Sequence, residues 1–215
     1  MFKTAVLVVV STGLLILSAA AGSFPEPAID VERSTSKGKQ KAVLAGGCFW
    51  CTEAVLEQLA GVDNVVSGYA GGKPEMAKYD LVSAGQTDHA EVIEVTFDPA
   101  KISYGQVLKV FFSVAHDPTQ LNRQGPDHGR QYRSAVFYAG PDQKRVAEAY
   151  IQQLGAAKIF SRRIVTEVTA LRGFYPAEGY HQDFVKRNPN HPYVTANAIP
   201  KLQKLKKTYP ELVRK

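Results

Sequence analysis

Lys41-Ala42-Val43-Leu44-Ala45-Gly46-Gly47-Cys48-Phe49-Trp50-Cys51 turns a strand into a helix and sets a thiol at the turn. The run 41–45 is short and apolar and stops at paired glycines, as a buried strand does. Beyond it, Ala54, Val55, Leu56 and Leu59 keep the spacing of one helix face. Cys48 is therefore expected in the first helical turn, where unpaired N–H groups and the positive end of the helix dipole favour thiolate over thiol. Cys51 lies one turn on. Residues three apart on a helix have Cβ atoms about 5–6 Å apart, a little beyond the roughly 3.5–4.5 Å of a disulfide, so a small adjustment would let the sulfurs join. This is the address of a reactive cysteine. A structural disulfide, half of a metal site and inert buried thiols compete with that reading. Zinc takes four ligands, and His89, His116, His128, His181 and His191 show no tight pairing, so no metal site is expected.

Outward from this stretch the chain alternates strands with helices. Ala90 to Phe97 reads as a strand ended by Asp98-Pro99, and Ser103-x-x-Gln106 as a capping box opening a helix to about Ala115. Asp117-Pro118 stops it. Tyr132 to Tyr138 is the next strand, Gly140-Pro141 starts a helix ending near Gly155, and Ile164 to Thr169 is a further strand. Strands parted by single helices without strict repetition predict one two-layer α+β domain, with a mixed sheet, flanking helices and a ferredoxin-like core.

The ends of the chain carry different information. A positive start at Lys3, an apolar run from Ala5 to Leu17 and the small residues Ala19-Ala20-Ala21 read as a signal peptide over 1–21. A periplasmic or secreted protein is expected. The alternative, an uncleaved membrane anchor, needs about 20 apolar residues. Residues 22–41, with prolines, serines and charges but no apolar period, read as a flexible lead-in, which leaves 42–215 as the catalytic domain. The formal charge is +6, and much of the excess lies at the end: Lys201, Lys204, Lys206, Lys207, Arg214 and Lys215 flank Ile199, Leu202 and Leu205, the pattern of an amphipathic helix with a solvated basic face. No aromatic or groove-reading motif supports nucleic-acid binding.

Parity along the Ala90–Phe97 strand singles out one acid. Glu91 shares a face with Ile93, Val95 and Phe97, whereas Glu94 lies on the other face with Thr96. A carboxyl on an apolar face is pushed toward its protonated form, the condition for a general acid. A frayed, hydrated strand end is the competing reading of Glu91, and Glu94 reads as a surface carboxylate. Tyr69, Tyr79, Tyr132, Tyr175 and Tyr180 fall near glycines or turns, and Asp127 lies in Gly125-Pro126-Asp127-His128-Gly129. None of these would be singled out alone.

Gly-Cys-Phe-Trp-Cys at 47–51, His89-Ala90-Glu91, the run Asp127 to Ser134, and Tyr175-Pro176-Ala177-Glu178-x-Tyr180-His181-Gln182 occur in that order. Together they resemble the A-type peptide methionine sulfoxide reductases over roughly Ala42 to Pro192. The resemblance implies that Cys48 attacks the sulfoxide sulfur and that Phe49 and Trp50 wall the S-methyl group. It further implies that Glu91 protonates the departing oxygen, that Tyr79 and Tyr132 bind that oxygen, and that Asp127 supports the pocket. The substrate would be the S epimer of methionine sulfoxide, free or in oxidised proteins, with no cofactor and a sulfenic acid left on Cys48. Many members resolve that acid with cysteines near the C-terminus; here the other cysteine is Cys51, which becomes the resolving candidate, with direct reduction by an external thiol as the alternative. A thioredoxin-like donor and a monomer are expected. Asp88 stands where the family usually has glycine, and Pro126 where asparagine is common. A thiol–disulfide oxidoreductase using both cysteines and a cysteine hydrolase remain the competing classes, the latter wanting a histidine beside the thiol.

Overall fold

The computed structural model describes residues 24–31 and 38–215. Strand β1, Gln40–Gly46, ends at the glycine pair, and helix α1, Phe49–Leu56, starts almost at once. β2, Val62–Ala70, and β3, Ala90–Phe97, follow, with the short α2, Tyr79–Ser83, in the loop between them. Ser103 opens α3, Tyr104–Val110, through the expected capping box: Gln106 N donates to Ser103 Oγ and Ser103 N donates to Gln106 Oε1. One π-turn, Phe111–Ala115, prolongs α3 and ends at an extended His116. The two-residue strands β4, Arg123–Gln124, and β5, Asp127–His128, pair as a small hairpin. Then come β6, Ser134–Tyr138, α4, Pro141–Ala156, β7, Glu167–Ala170, and β8, Phe174–Pro176. The chain closes with α5, Phe184–Arg187, a second π-turn at Val194–Ala198, and α6, Ile199–Thr208.

Six strands form one sheet in the order β7-β6-β1-β3-β2-β8, parallel between β6 and β7 and antiparallel elsewhere. Its middle four strands, β6-β1-β3-β2, with α1 and α3 as crossovers, form the β-α-β-β-α-β succession of a ferredoxin-like core. The α+β expectation with a mixed sheet and flanking helices holds. Alternation along the strands separates two apolar layers. Ala42 and Leu44 of β1 join Ile93, Val95 and Phe97 of β3 beneath the helices, while Val43, Ala45, Ala90 and Val92 face a smaller cluster with Phe137. Phe49, Phe97, Phe111 and Phe112 are fully buried in the main layer, each worth about 1.5–3 kcal/mol of apolar burial.

Several features depart from the sequence reading: β6 starts at Ser134 rather than Tyr132, β7 spans Glu167–Ala170 rather than Ile164 to Thr169, β8 was not anticipated, and two further departures bear on the packing. β2 was not anticipated. Asp63, Asn64, Ser67 and Gly68 interrupt its apolar pattern, and a bulge lies between Val62 and Asn64; its place beside β3 is imposed by tertiary pairing. The lead-in is also not free where it is described. Over 24–31 it lies along α3 and α4: Phe24 meets Tyr150 and Phe160 edge-on, Tyr150 Oη donates to Pro25 O at 2.7 Å, and Asp30 accepts from Ser103 Oγ and Gly105 N. Glu26 also pairs with Lys109, and Gln153 donates to Glu26 O and accepts from Ala28 N, so polar contacts beside one aromatic hold a stretch that has no apolar period. The segment read as a signal peptide lies outside the described residues. Among the described residues, no helix is long and apolar enough to cross a membrane.

Candidate active site

The β1–α1 junction builds the site. Gly47 has φ +85°, and a Cβ there would lie 2.4 Å from Gln124 Cβ, so only glycine fits this turn beside β4. Cys48 follows with φ −51° and ψ 120° and is the cap of α1, one position before the expected first turn. Its carbonyl accepts from Cys51 N at 3.2 Å and Thr52 N at 3.4 Å. Free of helical backbone angles, the Cys48 side chain is not bound to the helical i, i+3 spacing, and the two side chains touch. Both cysteines are free and buried.

Electrostatics around the thiols revise the expectation of a resting thiolate on Cys48. Burial pushes the Cys48 thiol well up, and Cys51 and Glu91 add to the effect. Desolvation outweighs the helix dipole here, because Cys48 is only 9% exposed. Cys51 moves the other way, drawn down first by its contact with Cys48.

Glu91 lies where strand parity put it, on the helix side of β3. It is 2% exposed, and its Oε2 accepts from Phe49 N at 3.0 Å, which ties the acid to the first turn of α1. Burial pushes its pKa up to about 8, against the pull of that hydrogen bond. The hydrated-end reading of Glu91 is thereby excluded. Glu94, on the opposite face, pairs with the exposed Lys41 at 2.7 Å.

A cavity of about 190 Å³ is lined by Cys48, Phe49, Trp50, Tyr79, Glu91, Asp127, Tyr132 and Tyr193. It gathers every residue that the sequence reading assigned to the site except Cys51, which lies behind Cys48. Trp50 is fixed on three sides: it stacks on Phe184 at 3.7 Å and 9°, meets Tyr193 edge-on at 5.9 Å, and donates from Nε1 to His181 Nδ1 at 3.0 Å. The last bond places the His181 proton on Nε2, and burial lowers this imidazole's pKa. Tyr79 is held through its backbone, its N–H donating to Glu178 Oε1 at 3.0 Å, while Tyr69 Oη donates to Glu178 Oε2 at 2.8 Å. Burial raises the Tyr79 phenol to about 12 and pushes Tyr132 up as well, so both remain O–H donors near neutral pH. Asp127, presented by the β4–β5 hairpin, accepts from Tyr193 Oη.

The histidine of the His-Ala-Glu motif is not in the cavity. His89 is fully buried, accepts from Gly72 N through Nδ1 and meets Lys73 O through Nε2, bracing the loop that leads to α2. Tyr180 is exposed and Tyr175 lies against His89, so neither joins the site. Asp88 has no left-handed backbone and its carbonyl accepts from Arg133 at 3.1 Å; nothing at that position demands glycine. Sequence reasoning missed Tyr193, which comes from the C-terminal segment just before a π-turn, a local geometry that often marks working sites. The available signal was an aromatic following the turn-rich Asn188-Pro189-Asn190-His191-Pro192. Among the described residues no group of acids, histidines and cysteines could hold a metal.

Comparison with known proteins gives the family of the chain. Residues 40–212 match the family model described as peptide methionine sulfoxide reductase. A protein of Synechocystis named peptide methionine sulfoxide reductase MsrA 2 is 51% identical over 207 residues, covering 95% of this chain and 97% of its own length. Among solved structures, the reduced form of Mxr1 from Saccharomyces cerevisiae superposes with a TM-score of 0.65 at 32% identity, covering 71% of this chain and 87% of that one. Methionine sulfoxide reductase A of Corynebacterium diphtheriae gives 0.63 at 33% identity, covering 78% and 83%.

Proposed function

Because the chain belongs to the peptide methionine sulfoxide reductase family, and is thus an enzyme that reduces methionine sulfoxide, we propose that Cys48 is its nucleophile and Glu91 its acid, acting on the S epimer. One observation carries the assignment: a buried carboxyl, its pKa pushed up to about 8 by burial, shares a 190 Å³ cavity with a buried thiol. Sulfoxide oxygen is a poor leaving group until it is protonated. Tyr79 and Tyr132 remain neutral donors for that oxygen, and Phe49 and Trp50 form the apolar wall for the methyl group.

The chemistry balances without a cofactor. Cys48 sulfur attacks the sulfoxide sulfur as Glu91 gives its proton to the oxygen, and the thiol proton of Cys48 restores Glu91. The oxygen, now a hydroxyl, passes from the methionine sulfur to the Cys48 sulfur: the S–S bond just made and the methionine S–O bond break as the Cys48 S–O bond forms, so methionine leaves as the thioether and Cys48 remains as sulfenic acid. Passing a proton in this way avoids leaving an unpaired charge in a buried site. Cys51 then attacks the Cys48 sulfur, water leaves, and a Cys48–Cys51 disulfide remains for a thioredoxin-like dithiol donor. Free methionine sulfoxide and oxidised proteins are the substrates. In cellular terms the activity repairs oxidised proteins, in the periplasm or outside the cell if residues 1–21 act as a signal, and as a monomer.

The test is single-turnover reduction of the two epimers by wild type and Cys48→Ser. Wild type is expected to release methionine from the S epimer and leave the R epimer untouched, and Cys48→Ser to release none, since a hydroxyl is a far weaker nucleophile. Turnover of the R epimer, or methionine release by the serine variant, contradicts the assignment.

A further inference from the structure

Behind Cys48, on the side away from the main cavity, lies a second crevice of about 60 Å³. It is lined by Cys48, Cys51, Gln124, Pro126, Asn197 and Lys201, with Asp127 and Tyr193 forming the partition it shares with the larger cavity. Lys201 belongs to the basic C-terminal cluster that the sequence suggested as a solvated face. Lys204, Lys206 and Lys207 are exposed as expected, but Lys201 is half-buried. Its Nζ donates to Ala115 O at 2.7 Å, the carbonyl that ends the π-turn after α3. A cation in the first turn of a helix opposes the helix dipole, and no acidic residue stands in that turn of α6. The stem of α6 packs on the cysteines through Ala198, which clusters with Cys48, Cys51 and Ala54.

We propose that Lys201 is the positioning residue of the recycling half-reaction: its ammonium, lining the same crevice as Cys51, stabilises charge on that sulfur as it attacks and departs, and the crevice is the side from which an external dithiol reaches it. This rests on the reading of Cys51 as the resolving cysteine. The charged and titratable groups that act on Cys51 come from every side of it: Cys48 from the cap of α1, Glu91 from β3, Asp127 from β5, Tyr193 from the C-terminal segment and Lys201 from α6. Of these only Lys201 is cationic. The Cys51 thiol is drawn down first by Cys48, burial opposes this, and the Lys201 charge pulls it down further, with Asp127 opposing. In the first recycling step Cys51 thiolate attacks the Cys48 sulfenic acid, forming the S–S bond and expelling hydroxide, which takes a proton to become water. A donor thiolate then attacks Cys51 from the crevice, and the S–S bond breaks to return Cys48. The donor's second thiolate attacks its own sulfur in the mixed disulfide, Cys51 departs as thiolate, and the donor is oxidised to its disulfide. Lys201 stabilises the charged Cys51 both as attacker and as leaving group. The substrate thus keeps the larger cavity while the reductant works from the other side.

Lys201→Met and Lys201→Arg separate this role from a structural one. Single-turnover methionine release and steady-state turnover with a thioredoxin-like protein as the dithiol are compared, and Cys51 alkylation by iodoacetamide is followed against pH in a Cys48→Ser background. Loss of the cation is expected to move the alkylation midpoint of Cys51 up by on the order of one pH unit. Since lost thiolate is partly offset by higher intrinsic nucleophilicity, recycling should slow by roughly threefold or more, with methionine release at the wild-type rate and both effects reversed in Lys201→Arg. An unmoved midpoint with unchanged recycling overturns the role of Lys201. So does equal slowing of release and recycling, which marks a structural defect. If wild type forms no Cys48–Cys51 disulfide, the resolving reading fails, while the alkylation midpoint still decides whether Lys201 governs Cys51.

Discussion

Glu91 is the residue on which the chemistry turns, because two features act on it together: a strand register that points it under the helices and an N–H of α1 that fixes its carboxyl. Its folded pKa of about 8 keeps the acid form through neutral pH. The single-turnover rate constant should therefore fall as pH rises through about 8. Glu91→Gln keeps shape and hydrogen bonding but removes the transferable proton, and should slow release by roughly 10²–10⁴-fold. Stopped-flow measurement of methionine release checks both, and a glutamine variant at the wild-type rate would show that a tyrosine supplies the proton. At this scale much was legible in advance. Period-two alternation in Ala90–Phe97 separates Glu91 from Glu94, and a glycine pair before a cysteine marks the turn. The protonation state of Cys48 was not legible, because the helix dipole is visible in sequence and burial by distant segments is not.

Helix α1 carries a second buried acid. Glu53 Oε1 accepts from Asp183 N at 3.2 Å, tying α1 to the left-handed Asp183 that precedes α5 and so to Phe184, the ring stacked on Trp50. Burial pushes Glu53 up to about 7 from an ordinary value of 4.5. Between those values the native state keeps a proton that the unfolded chain has lost, so stability declines as pH rises through that window. Glu91 acts in the same direction up to about 8. Thermal midpoints should therefore fall between about pH 5 and about pH 8. Glu53→Gln should flatten the lower part of the decline, since the amide has no titrating proton while it keeps an oxygen for Asp183 N and the contact with Ser67. A variant with the wild-type slope would remove Glu53 from the account. Elements with local signals, such as the capping box of α3 and the Gly-Pro start of α4, could be read from the chain. β2 could not, since pairing with β3 overrides its polar residues, and Tyr193 and Lys201 reach the cysteines through tertiary packing that no local spacing records.

At the scale of the whole molecule, one sheet carries the acid, the helix layer carries the thiols, and the C-terminal segment closes both cavities. The stretch 24–31 ties the start of the described chain to α3 and α4. Asp30→Ala removes acceptors from Ser103 Oγ and Gly105 N and should cost about 1–3 kcal/mol, lowering the thermal midpoint by about 2–4 °C per kcal/mol, with sulfoxide reduction unaffected because Asp30 lies away from the cavity. An unshifted midpoint would mean that the Asp30 contacts contribute nothing to stability. The division of labour between the two cavities is tested most directly by one measurement. Reduced protein receives one equivalent of methionine S-sulfoxide with no external thiol, and the products are read by mass spectrometry. One equivalent of methionine together with an intramolecular Cys48–Cys51 disulfide is expected; methionine accompanied by a stable Cys48 sulfenic acid and a still-reduced Cys51 would contradict the account.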